Sequence, residues 1–373
     1  MNILVLTTRN IYGDSGEKTL MLAKDKELRK HSVNMFYYSF RRIFIEDDGL
    51  FNVIHKQSMY AILYQKKFIK SNLEKYIIEY NINALVVSGN WILFLTDILK
   101  EIKTTHNILI SYDYQGAIEE IKEYKLFKNN KILSNFLYKK LFKSEKKFLE
   151  IIDGIEAVSL NAISHLKKYN TKNNYKFVLV HCGIEYPISL KNYNLFRKEW
   201  RKKYNLNSDD IACVYAGGIA KWQNVDEIIN QAIQNKKIKL FIYTSKTNQK
   251  LLKNKFHIPS NIYFDFLSHE KLQYALCAFD FGYLLRNKDI TNFVAFPNKY
   301  SDYINARLKI IVKNIEIGYY PKDLEKQKFI LNVKDKLIVD NNKNNLLYDE
   351  YIHELSYNHM IKRLVNYYKT KEN

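Results

Sequence analysis

The feature that most constrains this chain is an alternation that runs along it twice. Short apolar runs of strand length alternate with longer stretches of helical periodicity, the pattern of parallel α/β layers. The first series reads as strands at Ile3–Thr7, Val33–Tyr38, Ala84–Ser88, Asn107–Tyr112, Ala157–Ser159 and Phe177–Val180, with a helix over about 18–30 after the first. A second series starts at Ile211–Ala216 and continues through a helix over about 225–235, then Lys239–Thr244, Ile262–Phe264, Phe281–Leu285 and Lys309–Val312. A chain of 373 residues exceeds the roughly 250–300 at which one core stops growing. The reading is therefore two α/β domains, residues 1–186 and 187–350, joined in the polar stretch Pro187–Asn194. A last helical segment, 351–373, is expected to pack back on the N-terminal domain. No repeat of 20–50 residues is visible, which argues against a solenoid.

Composition narrows the class. Hydrophobic residues at 47% and aromatics at 14% can bury sizeable cores and exclude a disordered chain, while 11 Gly and 4 Pro exclude collagen-like and low-complexity forms. Three scattered cysteines, Cys182, Cys213 and Cys277, make no disulfide framework or CxxC knuckle and fit a reducing compartment. Met1-Asn2 runs straight into Ile3–Leu6 without a basic leader. The most apolar window, 84–99, is interrupted by Ser88, Gly89, Asn90 and Asp97. The expectation is a soluble, cytoplasmic protein.

The balance of 59 basic and 39 acidic residues gives +20 and points to anionic partners: nucleic acid, lipid headgroups or phosphorylated substrates. The bland alternative is a chain simply rich in Lys, Asn, Ile and Tyr. No nucleic-acid recognition motif is present, so nucleic acid is not expected as a partner.

Three segments carry candidate chemistry. Gly13-Asp14-Ser15-Gly16-Glu17-Lys18-Thr19 fails the P-loop spacing. It still places Gly13 and Gly16 after the first strand, where backbone N–H groups meet ligands in parallel sheets; an ordinary βα turn is the alternative. Gly217-Gly218, ending Ile211–Ala216, can let a phosphate approach the backbone closely, with Lys221 supplying a cation; a flexible turn is the bland reading. The most specific stretch runs from Asp280 through Arg286 and Asn292 to Pro297-Asn298-Lys299-Tyr300-Ser301-Asp302-Tyr303. Pro297 suits the first turn of a helix whose N-terminus can seat a diphosphate. Lys299, Asp302 and Tyr303 then share one face. Asp302 can accept from a ribose diol, and Arg286 can grip a phosphate in bidentate fashion. The alternative is a surface helix with a Lys–Asp pair.

In this order the motifs resemble glycosyltransferases of the glycosyltransferase-B fold, most closely family 4 and its bacterial capsular and surface-polysaccharide branch. The late "P-x-K-x-x-[DE]-Y" helix resembles that branch's stretch. Ser111–Glu120 is similar to its "D-x-H-G…E-E" segment, and Val214–Gln223 resembles its phosphate loop. Ala157-Val158-Ser159 and His181–Ile184 are similar to its "VS" strand and interdomain segment. The resemblance spans essentially the whole chain.

It implies an α/β fold of two Rossmann-like domains facing across a cleft. It also implies a retaining transfer of sugar from a nucleotide diphosphate sugar, UDP-linked by preference, to a saccharide or polyprenyl-diphosphate-linked acceptor. Donor binding would fall to Gly217, Gly218, Lys221, Arg286, Asn292, Pro297, Lys299, Asp302 and Tyr303. The catalytic roles would fall to Gln115, Lys221 and Arg286. Gly13, Gly16, Asp113, Glu119 and Glu120 would serve the acceptor.

Catalysis would consist of positive charge and N–H donors placed where the leaving diphosphate develops charge. No Asp-x-Asp triplet and no HExxH-like spacing occur, so no metal and no cofactor is expected, the nucleotide sugar being a co-substrate. Three departures stand out. Gln115 replaces the family's His, Val294 replaces the first acid of its acid pair, and Gly218 and Gln223 stand where its loop often carries Arg and Lys.

Two rival readings remain: a non-catalytic partner of another transferase, and a nucleotide-sugar epimerase, for which no flanking acid/base set is evident. Finally, residues 122–150 carry nine Lys against three Glu, interleaved with Tyr124, Phe127, Phe136, Tyr138, Phe142 and Phe148. Such a segment reads as an interfacial helix docking on the anionic inner membrane face, or as a solvated helix with its aromatics in the core.

Overall fold

The computed structural model describes residues 1–9, 11, 16–40, 50–123, 130–169, 176–313, 318–339 and 345–369. The chain divides into two compact units. One comprises Met1–Gly183, Phe293–Phe296 and Tyr357–Asn373; the other comprises Ile184–Asn292 and Pro297–Ser356.

The first unit is built on a seven-stranded parallel sheet in the order β3-β2-β1-β4-β5-β6-β7. Its strands are β1 (Asn2–Thr7), β2 (Asn34–Ser39), β3 (Val53–Lys56), β4 (Ala84–Ser88), β5 (Leu109–Tyr114), β6 (Gly154–Ala157) and β7 (Lys176–Leu179). The central strands are buried on both faces, and β4 is buried at every position. That is what apolar runs imply when helices cover both sides of a parallel sheet.

The second unit has a six-stranded parallel sheet in the order β10-β9-β8-β11-β12-β13. Here β8 is Ile211–Ala216, β9 is Ile238–Tyr243, β10 is Ile262–Asp265, β11 is Phe281–Tyr283, β12 is Lys309–Val312 and β13 is Ile330–Asn332. Both orders reverse direction once, between β1 and β4 and between β8 and β11. In doubly wound sheets the carboxyl ends at such a reversal form a ligand crevice.

Several expectations shift. β6 spans Gly154–Ala157 rather than 157–159, because Ser159 is already a helix cap whose Oγ accepts from the Ala162 amide at 3.0 Å. The stretch Pro187–Asn194 is not a linker. Ile188 is buried, and Ser189 caps the Leu190–Lys203 helix, so the unit boundary falls at Gly183/Ile184. The C-terminal segment is two helices, Asn345–Leu355 and Tyr357–Lys369, broken at Ser356. Only the second joins the N-terminal core. Tyr357, Met360, Ile361, Leu364, Val365 and Tyr368 recur at helical spacing and pack with Ile3, Val5, Met21 and Leu28. Pro297 is the cap of the Asn298–Asn305 helix, with an extended ψ of 139°, rather than a residue of its first turn.

Candidate functional site

In the C-terminal unit the residues of interest converge where β8 and β11 end. After β8 the chain turns through Gly217 at a φ of +138°, a conformation that favours glycine, and its amide donates to Tyr243 O at 2.9 Å. A Cβ on Gly217 would stand 2.8 Å from the Lys299 ammonium, whereas one on Gly218 would meet nothing within 4 Å. The turn is therefore packed on one side and open on the other. It continues into a short 3-10 turn, Lys221–Gln223, with Lys221 exposed.

The Asn298–Asn305 helix lies against this turn. Tyr303 is fully buried, and its hydroxyl accepts from the Ala216 amide at 3.2 Å. Lys299 Nζ donates to Gln223 Oε1 at 2.8 Å and to Tyr215 OH at 3.1 Å, and stands 4.4 Å from the Tyr215 ring centroid. Burial, with help from Arg286, holds the Lys299 ammonium well below the usual lysine range, against a smaller opposing pull from Asp302.

Arg286 follows β11. Its Nη1 donates to Asn292 Oδ1 at 3.2 Å, and its Nε is buried without a hydrogen-bond partner among the described residues. The Asn292 amide nitrogen is spent on Asn287 O and Asp289 Oδ2, so Asn292 orients Arg286 and organises the loop. Asp302 faces another way. It accepts from Gln273 Nε2 at 2.7 Å and lies 3.8 Å from His269 Nε2, and this contact raises the His269 pKa. The sequence thus brings Gly217, Gly218, Arg286, Asn292, Lys299 and Tyr303 together in one unit, with Asp302 presented on the neighbouring side of the same helix. It missed Tyr215, Gln273 and His269, whose roles depend on packing between distant segments.

Asp280, which opens the most specific sequence stretch, is an anchor instead. Its carboxylate takes Arg197 Nη2 at 2.6 Å and the Ala212 amide at 3.2 Å at the start of β11.

In the N-terminal unit one of the expected acceptor residues turns inward. Asp113, at the end of β5, is buried. It takes Lys24 Nζ at 3.1 Å, Ser88 Oγ at 2.7 Å and Gln115 Nε2 at 2.9 Å. Lys24 also donates to Glu156 Oε2 at 2.8 Å, and Tyr368 OH donates to the same carboxylate. Burial alone would raise the Asp113 pKa, but Lys24 and Arg9 together bring it below the usual carboxylate value. Desolvation would lower Lys24, yet the two carboxylates hold it above the ordinary lysine range. Such a group is a closed ionic cluster, so Asp113 is not an open hydroxyl acceptor, and Gln115 spends its amide on it.

Glu119 lies 3.6 Å from His165 Nε2 and accepts from Tyr138 OH at 3.3 Å. The Glu120 carboxylate folds over Gly116, where a Cβ would stand 2.4 Å from its oxygen. Both stand half-buried in the first turn of the 3-10 helix Ile118–Glu123. Gly16 opens the Gly16–Arg29 helix, while Gly13 lies outside the described residues. Val294 is fully buried and its carbonyl accepts from Ser159 Oγ at 2.7 Å, so an acid at this position would lose its water.

Among the described residues no group of three or more His, Cys, Asp and Glu could hold a metal ion. No helix there is long and apolar enough to cross a membrane.

No protein family matches the sequence, and no curated protein matches it. Solved structures do. Sucrose-phosphate synthase from Thermosynechococcus elongatus aligns over 100% of this chain and 99% of its own at a TM-score of 0.67 and 12% identity. Anabaena HepE in complex with UDP aligns over 97% and 92% at 0.62 and 8%. A putative UDP-N-acetylglucosamine 2-epimerase from Listeria monocytogenes aligns over 100% and 96% at 0.53 and 9%. The fold, two parallel-sheet Rossmann-like domains, is that of the glycosyltransferase-B class.

Proposed function

We propose that this protein is a glycosyltransferase that takes a sugar from a UDP-linked donor, with retained configuration, onto a saccharide or lipid-linked acceptor of a surface polysaccharide. The observation that carries this reading is the pair Arg286 and Lys299 beside the Gly217-Gly218 turn. These are two basic side chains with no carboxylate hydrogen-bonded to either among the described residues, at the sheet reversal where a phosphate-bearing ligand fits. In this reading a diphosphate leaving group supplies the missing charge, and Asp302, on the neighbouring side of the same helix, takes the ribose diol. Lys221, exposed on the 3-10 turn, is positioned to swing toward the same anion. No metal is required, because guanidinium, ammonium and amides can together stabilise the departing diphosphate. HepE was solved with UDP, and the same nucleotide is proposed here.

A thermal-shift panel of nucleotide sugars tests the reading. A UDP-sugar should raise the melting temperature, Asp302→Ala should abolish that shift, and Arg286→Ala should weaken it while lowering turnover further. No shift with any UDP-, GDP- or dTDP-sugar contradicts it.

One observation favours the alternative of a non-catalytic partner subunit. Gln115, which stands where the family has a His, is hydrogen-bonded into Asp113. Donor binding without transfer or hydrolysis would favour that alternative.

Docking on the inner membrane face belongs to the same proposal. The Lys131–Leu149 helix leaves Ile132 and Phe136 exposed among its lysines, while Lys122 and Lys146 cap the Tyr138 and Phe142 rings at 3.9 and 4.6 Å from their centroids. Apolar side chains between cations are the make-up of an interfacial helix.

A further inference from the structure

Lys299 is a half-buried amine whose hydrogen-bond partners carry no charge. From β8, Tyr215 offers a neutral hydroxyl at 3.1 Å and the face of its ring. From the 3-10 turn, Gln223 offers an amide oxygen at 2.8 Å, with Lys221 on the same turn exposed. Beyond β11, Arg286 repels it. On its own helix, Tyr303 is turned to the Ala216 amide, and Asp302, the carboxylate whose attraction reaches it, is hydrogen-bonded to Gln273 and close to His269. A lysine withdrawn in part from water, repelled by Arg286 and weakly compensated gives up its proton more easily than one in water.

We propose that Lys299 is a proton-linked cation. Its amine takes one proton from solvent as the donor's diphosphate binds, so the charge of the site is completed only when the leaving group is seated. This rests on the donor-site reading above and deepens it. The balance is simple: a neutral amine, a proton and the anion become an ammonium–diphosphate pair, and no bond of the donor is touched. Gln223 has a defined part. Standing where related loops often carry Lys, it instead lends its oxygen to orient the Lys299 nitrogen toward the Gly217-Gly218 turn, whose open side at Gly218 leaves room for the phosphate. Donor affinity should therefore fall as pH rises through the range in which free Lys299 loses its proton, by up to about tenfold per pH unit for one linked proton.

The experiment is isothermal titration of the full chain with UDP in two buffers of different ionisation heat. It is run above about pH 7.5, where the terminal phosphate of UDP, with a pKa of about 6, no longer titrates. The expected result is net proton uptake in the parent, its loss in Lys299→Gln with weaker binding, and binding without uptake in Lys299→Arg. UDP binding by the parent with no proton exchange, or uptake that persists in Lys299→Gln, overturns the proposal and leaves the donor site standing. Failure of the parent to bind UDP overturns both.

Discussion

Gly282→Ala is the sharpest test of how the C-terminal unit holds its candidate site. Gly282 lies in β11, paired with Val214 on one side and Ile310 on the other. A Cβ built there would stand 2.4 Å from Tyr303 Cδ2 and 2.7 Å from its Cγ and Cε2. Carbon atoms rest at about 3.5–4.0 Å, so the ring or the strand must move by roughly 1 Å. The ring is completely buried and cannot tilt freely, since its hydroxyl is tied to the Ala216 amide and points at Tyr283 O, 3.4 Å away.

Replacing glycine in a strand ordinarily favours the sheet by about 0.5–1 kcal/mol, whereas overpacking a filled core costs about 1–3 kcal/mol. Stranding the Ala216 amide would cost about 1–3 kcal/mol more. The steric term wins. A net loss of about 1–5 kcal/mol lowers the melting temperature by roughly 2–20 °C in a domain of 150–250 residues. Because the ring is carried by the helix that carries Lys299 and Asp302, the UDP-induced shift should shrink as well.

Calorimetry of Gly282→Ala, Tyr303→Ala and the double variant completes the test. The double should lose at least about 0.5 kcal/mol less than the sum of the singles, since the new methyl then points into vacated space. A Gly282→Ala protein that melts with the parent, or a strictly additive cycle, refutes this packing argument.

Two further outcomes follow from the N-terminal unit. Glu145 is buried with Tyr112 OH at 2.9 Å as its hydrogen-bond donor, and burial pushes its pKa up to about 8. The folded state therefore holds a proton that the unfolded state releases above about pH 4.5. Stability should fall between about pH 4.5 and 8 and then level off, and Glu145→Gln should flatten that slope in thermal melts at pH 5.5 and 8. Changing Lys139, Lys140, Lys143, Lys146 and Lys147 to Glu should abolish flotation with anionic vesicles, at about 1 kcal/mol per cation removed; undiminished flotation contradicts the docking surface.

The strands that form both sheet centres were legible because continuous apolar runs are what two-sided burial demands. β3 and β13 were not. β3 includes the polar pair His55-Lys56 and β13 is three residues long, and both sit at sheet edges where one neighbour suffices. The single C-terminal helical segment read over 351–373 divides because Ser356 bonds back to His353 O at 2.7 Å, a local competition that periodicity does not register.

At the candidate site, positions on one helix, such as Lys299 and Tyr303, follow from spacing. Their partners do not. Gln223 and Lys299 are 76 residues apart, and Lys24 and Glu156 are 132 apart. Asp113 was visible as an acid at a strand end. Its burial was not, since that depends on a lysine delivered by the helix after β1.

The two units place charge at their sheet reversals in opposite ways. In the N-terminal unit Lys24 and Arg9 act on Asp113, while Glu156 shares Lys24, and Ser88, Gln115 and Tyr368 take up remaining valences. Two cations and two carboxylates there compensate one another, and a compensated buried cluster has little left to offer a charged ligand. In the C-terminal unit Arg286 and Lys299 are bonded to an amide oxygen, a phenol and another amide oxygen, none of them charged. Keeping Lys299 protonated beside Arg286 without a counter-ion is costly, and that cost is recovered only when an anion arrives. The first arrangement organises a fold. The second has the charge balance that a site for an anion needs, which is why the donor function is proposed for the C-terminal unit and the buried Asp113 and Glu156 of the other unit are read as structure.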